Sequence, residues 1–529
     1  MRPLTASQLL LLATLVAPAV GAVVAAAMPA RADRLARVVA AAFAGIAFVA
    51  SVWLVAWRGN IGWFTYGAFD TPTGAPALIP WADLDLPWVP GLDLRFHIGV
   101  DGISYPLIVL TTLLTLLCAI YTCRHVPETE GSPRGRHLAA LLLVIEVGIV
   151  GVFLALDIVL FFVFFEVVLL PMYAVIAVWG GPARRAAARK FVLYTLLGSV
   201  LLLVGVFTVV ASAGTADLIE LTSGAGAAMP RTVQLGAFIL LALAFAVKSP
   251  LWPLHTWLPD AHTEAPTVGS VILAGVLLKM GTYGLLRVAV GVAPAGAAEV
   301  APTMAVLAVA AIIVGSLVCL AQNELKRLIA YSSVGHMGFV LLGIATLTAT
   351  GFQAALIGNI AHGIITGLLF FLAGAIKDRA HTGELAQLGG LREVSPALAG
   401  LLGYAAIASL GLPGLAGFWG EAFAVVAAFQ RGGAFWITLG AFAAAGAALA
   451  AAYFLRLLRL VTHGPAAPAV AGLAPRGIGG AEWLSWAPLV VLALAVGLAP
   501  VLVVGFSQDP VTALEQVATA ADPAQGVAE

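Results

Sequence analysis

Two of the chain's five lysines stand where a lysine is costly. Lys248 interrupts ILLALAFAVKSPLWPLHTWLPDAHTEAPT (239–267), and Lys279 lies near the midpoint of VGSVILAGVLLKMGTYGLLRVAV (268–290). An ammonium at the centre of a bilayer costs at least ~2.5–3.5 kcal/mol, so it marks an ion route, a proton relay or a buried pair. Glu166 is the counterpart of opposite sign, in the middle of LDIVLFFVFFEVVLLPMYAVIAVW. Burial penalises an isolated charge and an opposite charge relieves it, which makes Lys248 the natural partner of Glu166. Such a pair is either a lock between two helices or a switch. Pro171 and Pro250 loosen the helices beside both charges, and separating the pair would change the lysine's hold on its proton. Lys279 has no acid within a turn of its own helix and lies too deep to snorkel, so it reads as an unpaired proton carrier.

His336 (YSSVGHMGFVLL) and His362 (GNIAHGIITGLL) fall within consecutive apolar runs. Imidazole accepts a proton on one nitrogen and donates from the other, which suits hand-over between helices. Glu421, in GLPGLAGFWGEAFAVV, ends this series of titratable groups, and Glu146, in LLLVIEVGIVGVF, is an accessory candidate. Tyr194, Ser332 and Ser333 either orient water or simply bond their own backbone. His255, Asp260, His262 and Glu264 form a polar stretch that is either a wet cytoplasmic entry or a solvated loop; no H-E-x-x-H zinc motif is present.

The elements that position these groups are membrane helices. At 529 residues, with 61% hydrophobic and 10% charged residues, the chain is far poorer in charge than a soluble protein, where roughly a quarter is usual. The apolar runs are continuous and about twenty residues long, which predicts an all-α polytopic protein rather than a barrel. The first run, 9–27, reads as a spanning helix and not a signal peptide. Fourteen spans are expected: 9–29, 36–57, 103–122, 138–155, 157–179, 190–212, 233–258, 266–290, 302–321, 328–348, 352–376, 397–430, 434–460 and 483–505. The seventh (KSPLWPLHTWLP) and the twelfth (SLGLPGLAGFWGE) have the Pro and Gly content of broken helices.

Basic residues orient the chain. With both termini outside, the cytoplasmic connections receive Arg31, Arg34, Arg37, Arg124, Arg134, Arg136, Arg184, Arg185, Arg189 and Lys190. They also receive Lys326, Arg327, Lys377, Arg379, Arg392, Arg456, Arg459 and Arg476. Only Arg2, Arg58, Arg95, Arg231, Arg287 and Arg431 fall outside, and the two intramembrane lysines complete the 26 basic residues. The outer segment 59–102 carries Asp70, Asp83, Asp85, Asp93 and Asp101 against Arg95 alone.

Four regions follow: 1–137, three helices with the periplasmic loop 59–102; 138–290, a five-helix set broken at 233–258; 302–460, a second set broken at 397–430; and 461–529, a last span and tail. Five is odd, so the two sets run in opposite directions, and inverted repeats with matching breaks are a transporter pattern.

Cys118, Cys123 and Cys319 give no C-x-x-C and no cluster for zinc or iron–sulfur, so no metal, cofactor or redox centre is expected in this chain. No lysine follows a glycine, so no Walker A loop is present. Zero formal net charge gives no argument for nucleic acid. Energy must arrive from an ion gradient or a partner.

The stretches FFEVVLLPMYAVIAVWG, FAVKSPLWPLHTWLPDAHTEAPT, LAGVLLKMGTYGLLR, LKRLIAYSSVGHMGFVLLG and IAHGIITGLLFFLAG, in this order, resemble the proton-translocating antiporter-like family. That family includes membrane subunits of respiratory complex I, Mrp-type sodium/proton antiporters and membrane-bound hydrogenases. The resemblance covers roughly 97–460. It implies a lysine at position 421 in L-type, N-type and Mrp D-type chains, and a glutamate in M-type chains of NADH–quinone oxidoreductase. Glu421 and the entry FHIGVDGISYPLIVL therefore favour the M type. No long lateral helix is expected after residue 505, which argues against the L type.

The resemblance also implies Glu166 and Lys248 as the coupling pair, Lys279 as the central relay, and His336 and His362 as the bridge toward Glu421 and a periplasmic exit. Flavin (FMN), iron–sulfur clusters and quinone belong to partner subunits on this reading, and the partners are other membrane subunits of complex I in a bacterial inner membrane. The alternative is a subunit of a Mrp-type antiporter or of a membrane-bound hydrogenase.

Overall fold

The computed structural model describes residues 4–58, 80–92, 94–127, 135–471 and 477–521. Arg2, Asp70, Asp93, Arg134 and Arg476, each placed above by charge, lie outside these residues.

Thirteen helices among the described residues are long and apolar enough to cross a membrane. The spans are α1 (Ala6–Ala27), α2 (Asp33–Trp53), α3 (Ser104–Thr122), α4 (Gly135–Leu154), α5 (Ile158–Trp179), α6 (Arg184–Ala213) and α7 (Arg231–Lys248). After the short α8 (Trp257–Glu264) come α9 (Thr267–Val290), α10 (Pro294–Ala321), α11 (Leu325–Ala345) and α12 (Ala349–Ala380). The expected twelfth span, 397–430, is present as two helices, α13 (Pro396–Ser409) and α14 (Gly417–Arg431), each too short to cross alone. Gly411 and Gly414, both with positive φ, turn the chain between them. α15 (Gly433–Thr462) and α16 (Gly480–Leu498) complete the spans.

The seventh span breaks where its prolines predict. α7 ends at Lys248 itself, turns occupy 249–256, and α8 follows. Lys248 is thus a helix C-terminal residue, where the unpaired carbonyls favour a cation.

Burial sorts the helices. α9 is buried along its whole length and α11 and α12 nearly so, whereas α1, α2, α6, α15 and α16 turn most of their surface outward. Lys279, His336 and His362 ride on the three innermost helices, where polar groups in a bilayer must be to find partners.

Two backbone bridges make the inverted organisation visible. Ahead of α5, Asp157 bridges Asp217, through hydrogen bonds from Ile158 N to Ala216 O and from Leu218 N to Leu156 O. Ahead of α11, Glu324 bridges Glu384, through Leu325 N to Gly383 O and Leu385 N to Asn323 O. Each bridge joins the start of the second helix of its set to the residues just after the third, with the same spacing (157 to 217, 324 to 384). In both, an acid caps the helix that follows: Asp157 accepts from Val159 N and Leu160 N, and Glu324 from Arg327 N. With five helices per set, the two bridges fall on opposite faces of the membrane.

A hairpin decorates the first of these bridges. Strands β1 (Ala82–Val89) and β2 (Leu94–Val100) pair antiparallel, and β2 continues onto 155–157 through the Ile98–Ala155 bridge. His97 Nδ1 donates to Asp217 Oδ2 at 2.9 Å. Burial opposes an imidazolium here, but the hydrogen bond and charge of Asp217, with Asp85 and Asp83, outweigh it and raise His97 above the ordinary histidine range. Burial likewise opposes ionisation of Asp217, yet His97 and the N–H groups of Glu220 and Ile219 hold it below the usual carboxylate range.

The last element was not foreseen. A further helix, α17 (Val501–Ala520), follows the last span and packs back on the core. Arg58 donates to Gly505 O and Phe506 O, and Glu515 Oε1 accepts from Ala349 N at the start of α12. Its mixed sequence, with Gln508, Asp509 and Pro510 among apolar residues, lacks the unbroken run by which the spans were read.

Two outcomes test this arrangement. A Cβ on Gly281 would lie 2.3 Å from Ser249 Oγ and 2.8 Å from Phe245 O, so Gly281→Val is expected to destabilise the α7–α9 contact by about 1–3 kcal/mol. Thermal unfolding in detergent reads that loss. For His97 the raised value means its stabilisation is complete below the unfolded histidine range and lost as pH rises through the folded one. For Asp217 it is complete above the unfolded carboxylate range and lost on acidification through the lowered one. Hydrogen exchange in β2 should therefore be slowest between these limits, and His97→Ala should abolish the alkaline rise.

Candidate functional site

Lys279 sits in a helix whose turns are widened. Residues Leu273–Leu277 and Leu285–Val290 of α9 are π-helical, with α-helix between them. Widened turns leave carbonyls without their usual partner. The ammonium uses one: Lys279 Nζ donates to Ala274 O at 2.5 Å, five residues earlier. It also donates to His362 Nδ1 at 2.6 Å, across to α12. Lys279 is fully buried, and no carboxylate forms an ion pair with it among the described residues. Thr282 Oγ1 donates to Asn359 Oδ1 at 2.9 Å, a turn from each partner, and fixes α9 against α12 at this level.

The far ring nitrogen of His362, Nε2, is buried without a hydrogen-bond partner in the protein. His362 lines a cavity of about 30 Å³ together with His336, Thr366, Ser409 and Glu421. A buried water needs roughly 10–15 Å³ measured this way, so the space suits one or two waters. The rings of His362 and His336 stand 5.8 Å apart between centroids, with no direct hydrogen bond between them among the described residues, and the cavity lies against both. His336 Nδ1 then donates to Glu421 Oε1 at 2.7 Å, while its Nε2 meets Ser409 Oγ at 3.1 Å. Glu421 Oε2 lies against Gly411, where a Cβ would come within 3.1 Å of it. Four of the expected residues, Lys279, His362, His336 and Glu421, thus form one series across α9, α12, α11 and α14.

Glu166 and Lys248 are arranged differently from the expected contact pair. No oxygen of Glu166 comes within ion-pair distance of Lys248 Nζ, although Glu166 is the charge that acts on this lysine. The ammonium instead lies over the Phe165 ring, 4.7 Å from its centroid, a cation–π contact. α5 is interrupted at Val168, three residues before Pro171, so Glu166 stands at the end of the first helical segment, half-buried, with Oε1 unpartnered. Glu146 on α4 is fully buried and neither carboxylate oxygen has a partner. Two residues on, a Cβ on Gly148 would meet Val168 Cγ2 at 2.5 Å, so α4 packs against the interruption in α5 at this level, with Glu146 on a different face of α4.

The stretch after the seventh span is a buried helix, not a solvated loop. His262 on α8 is fully buried, stacks on Phe370 at 4.5 Å, and leaves both ring nitrogens without a partner. The charges acting on it are Lys326 and Lys279. Lys326, expected in a cytoplasmic connection, is buried and donates to Ala265 O at 3.0 Å. Asp260 and Glu264 do face outward: Asp260 accepts from Lys190 Nζ, and Glu264 Oε2 from Ala183 N. His255 packs edge-on to Tyr331. Ser332 and Ser333 both return to Ile329 O, and Tyr194 reaches Thr256.

Several partners were missed by sequence reasoning. Arg287, expected outside, is buried at the end of α9 and paired with buried Asp101. Asp101 also caps α3 by accepting from Ile103 N and Ser104 N, a role readable in D-G-I-S. Ser409, immediately before the second break, had no signal of its own beyond that position.

Comparison with known proteins places this geometry. The profile described as NADH:quinone oxidoreductase/Mrp antiporter, TM, matches residues 155–445. NADH-quinone oxidoreductase subunit M of Rhodobacter capsulatus is 41% identical over 503 residues, covering 92% of both chains. An NAD(P)H-quinone oxidoreductase chain 4 of Synechococcus sp. (strain JA-3-3Ab) is 42% identical over 386 residues, 72% of both. A chain of respiratory complex I from Thermus thermophilus with bound NADH superposes with a TM-score of 0.81 at 29% identity, covering 96% of this chain and 99% of that one. A chain of the Mrp complex from Dietzia sp. DQ12-45-1b shares the fold, with a TM-score of 0.81 at 24% identity, covering 97% and 99%. From the buried lysine to the broken helices, the chain belongs to the NADH:quinone oxidoreductase/Mrp antiporter family of transmembrane subunits.

Proposed function

We propose that this multi-pass membrane protein is the M-type proton-translocating subunit of a bacterial NADH:quinone oxidoreductase. It carries protons from cytoplasm to periplasm, and both termini face the periplasm. The observation that carries this reading is the series Lys279–His362–cavity–His336–Glu421, with a carboxylate at its end rather than a lysine. Similarity to subunit M of Rhodobacter capsulatus over nearly the whole chain supports the same branch.

Each group has a role. Glu166 and Lys248 form the switch: Lys248 at the end of α7 is held by a ring face and a nearby carboxylate, both weaker than a direct ion pair, so a small displacement changes its charge environment. Lys279 is the carrier. It passes a proton to His362 Nδ1, and the Nε2 proton leaves through water toward His336, which passes one on to Glu421. Glu146, buried on α4 with both oxygens unpartnered, is accessory. The two five-helix sets, 138–290 and 302–460, supply the two halves of the route.

No redox centre is assigned to this chain; flavin, iron–sulfur clusters and quinone belong to partner subunits, and neighbouring antiporter-like subunits deliver the energy. Moving one charge against the potential costs about 2.3 kcal/mol per 100 mV, which quinone reduction elsewhere must supply.

Lys279→Ala and Lys248→Ala, each in assembled complex, should lower NADH-driven proton pumping in inside-out vesicles on the order of a hundredfold, the lower end of what a proton-transfer group contributes. Full pumping by either variant contradicts its assignment. Sodium-dependent proton exchange in vesicles without NADH would favour a Mrp-type subunit instead. Co-purification from the native membrane with flavin and iron–sulfur subunits would support complex I.

A further inference from the structure

Buried hydroxyls on the spanning helices of this protein generally turn back on their own backbone. Thr111 bonds Leu107 O, Thr115 bonds Thr111 O, Thr195 bonds Phe191 O and Ser332 bonds Ile329 O. Ser409 does not. It is buried in the last turn of α13, and its hydrogen bond among the described residues goes to another helix, to His336 Nε2 at 3.1 Å. The same hydroxyl lines the cavity that His362 enters from the other side.

The hydrogen-bond inventory of His336 fixes what Ser409 is for. Nδ1 faces a carboxylate oxygen, which accepts, so Nδ1 carries the hydrogen. Nε2 of the neutral ring is then the acceptor, and the group presented to it is the Ser409 hydroxyl rather than cavity water. A proton crossing the cavity therefore meets an oxygen before it meets the imidazole.

We propose that Ser409 is a relay hydroxyl, the obligatory step between cavity water and His336. This rests on the relay reading given above. In the step, His362 releases its Nε2 proton to water as Nδ1 receives one from Lys279, and that water gives a proton to a lone pair of Ser409 Oγ. The Ser409 O–H bond breaks in concert and its proton forms the N–H bond at His336 Nε2. The Nδ1 proton of His336 then passes to Glu421 Oε1, leaving a neutral ring. The Ser409 hydroxyl is regenerated, so protons balance and no other reactant is needed. His336, held by Ser409 on α13 and Glu421 on α14, receives its proton from one half of the broken helix and delivers it to the other.

The test compares Ser409→Thr with Ser409→Val in assembled complex. These side chains match in volume and differ in the hydroxyl. Threonine is expected to pump at the parent rate, and valine about tenfold slower, with unchanged NADH oxidation by the peripheral electron acceptor ferricyanide. Equal pumping by the two variants overturns the proposal, as does failure of both in complex that assembles normally. Should valine prevent assembly, Ser409→Ala replaces it, and parent-level pumping by alanine overturns the proposal equally. Lys279→Ala is measured alongside. If it is impaired while the hydroxyl-free variants are not, only the role of Ser409 falls; if it also pumps fully, the relay reading itself falls.

Discussion

An ammonium at the depth of the acyl chains has to be satisfied from within the protein, and the centre of this molecule is arranged around that requirement. Lys279 obtains one partner from its own helix, by widening the turn so that Ala274 O becomes free, and one from its neighbour, His362. Both partners are neutral. A buried lysine facing a carboxylate would be held in a single state, whereas a carbonyl and an imidazole leave the proton transferable. Thr282 and Asn359 hold the two helices at the spacing this needs, and the Asp101–Arg287 pair anchors the C-terminal end of α9.

The same requirement explains the order of the helices by burial. α9, α11 and α12 lie inside and carry the groups that lipid cannot solvate, while α1, α2, α6, α15 and α16, which carry no member of this series, are left on the rim. Small residues let the inner helices close on one another. Gly281 seats α9 on the end of α7, and Gly420 seats α14 on α12, where a Cβ would come 2.5 Å from Gly358 Cα. The distance from a lysine or a glutamate to its partner is therefore set partly by residues that have no side chain.

Much of this was legible in the sequence because hydrocarbon tolerates few solutions. Runs of apolar residues gave the spans, prolines and glycines in KSPLWPLHTWLP and SLGLPGLAGFWGE gave both breaks, and the improbable placement of Lys279, His336, His362 and Glu421 gave the central series. What was not legible depends on rotamers and on which face a helix presents. Glu166 and Lys248 were joined by charge alone, yet an aromatic ring lies over the ammonium. Arg287 and Lys326 were assigned to water by their position at span ends and are buried, because each has a local oxygen to bond. His262 looked like part of a polar loop since its neighbours Asp260 and Glu264 are charged; a helix turns those outward and the histidine in. Ser409 was invisible because a serine near a helix end usually bonds backbone.

The paired backbone bridges at Asp157–Asp217 and Glu324–Glu384 have a mechanical meaning. In each set the same short stitch ties the start of the second helix to the segment after the third. Because the sets are inverted, the stitched ends lie on opposite faces of the membrane, and the hairpin with His97 reinforces the one at Asp157–Asp217. The two sets are therefore pinned on opposite sides of the bilayer, so a sideways displacement at its centre would meet one backbone restraint on each side.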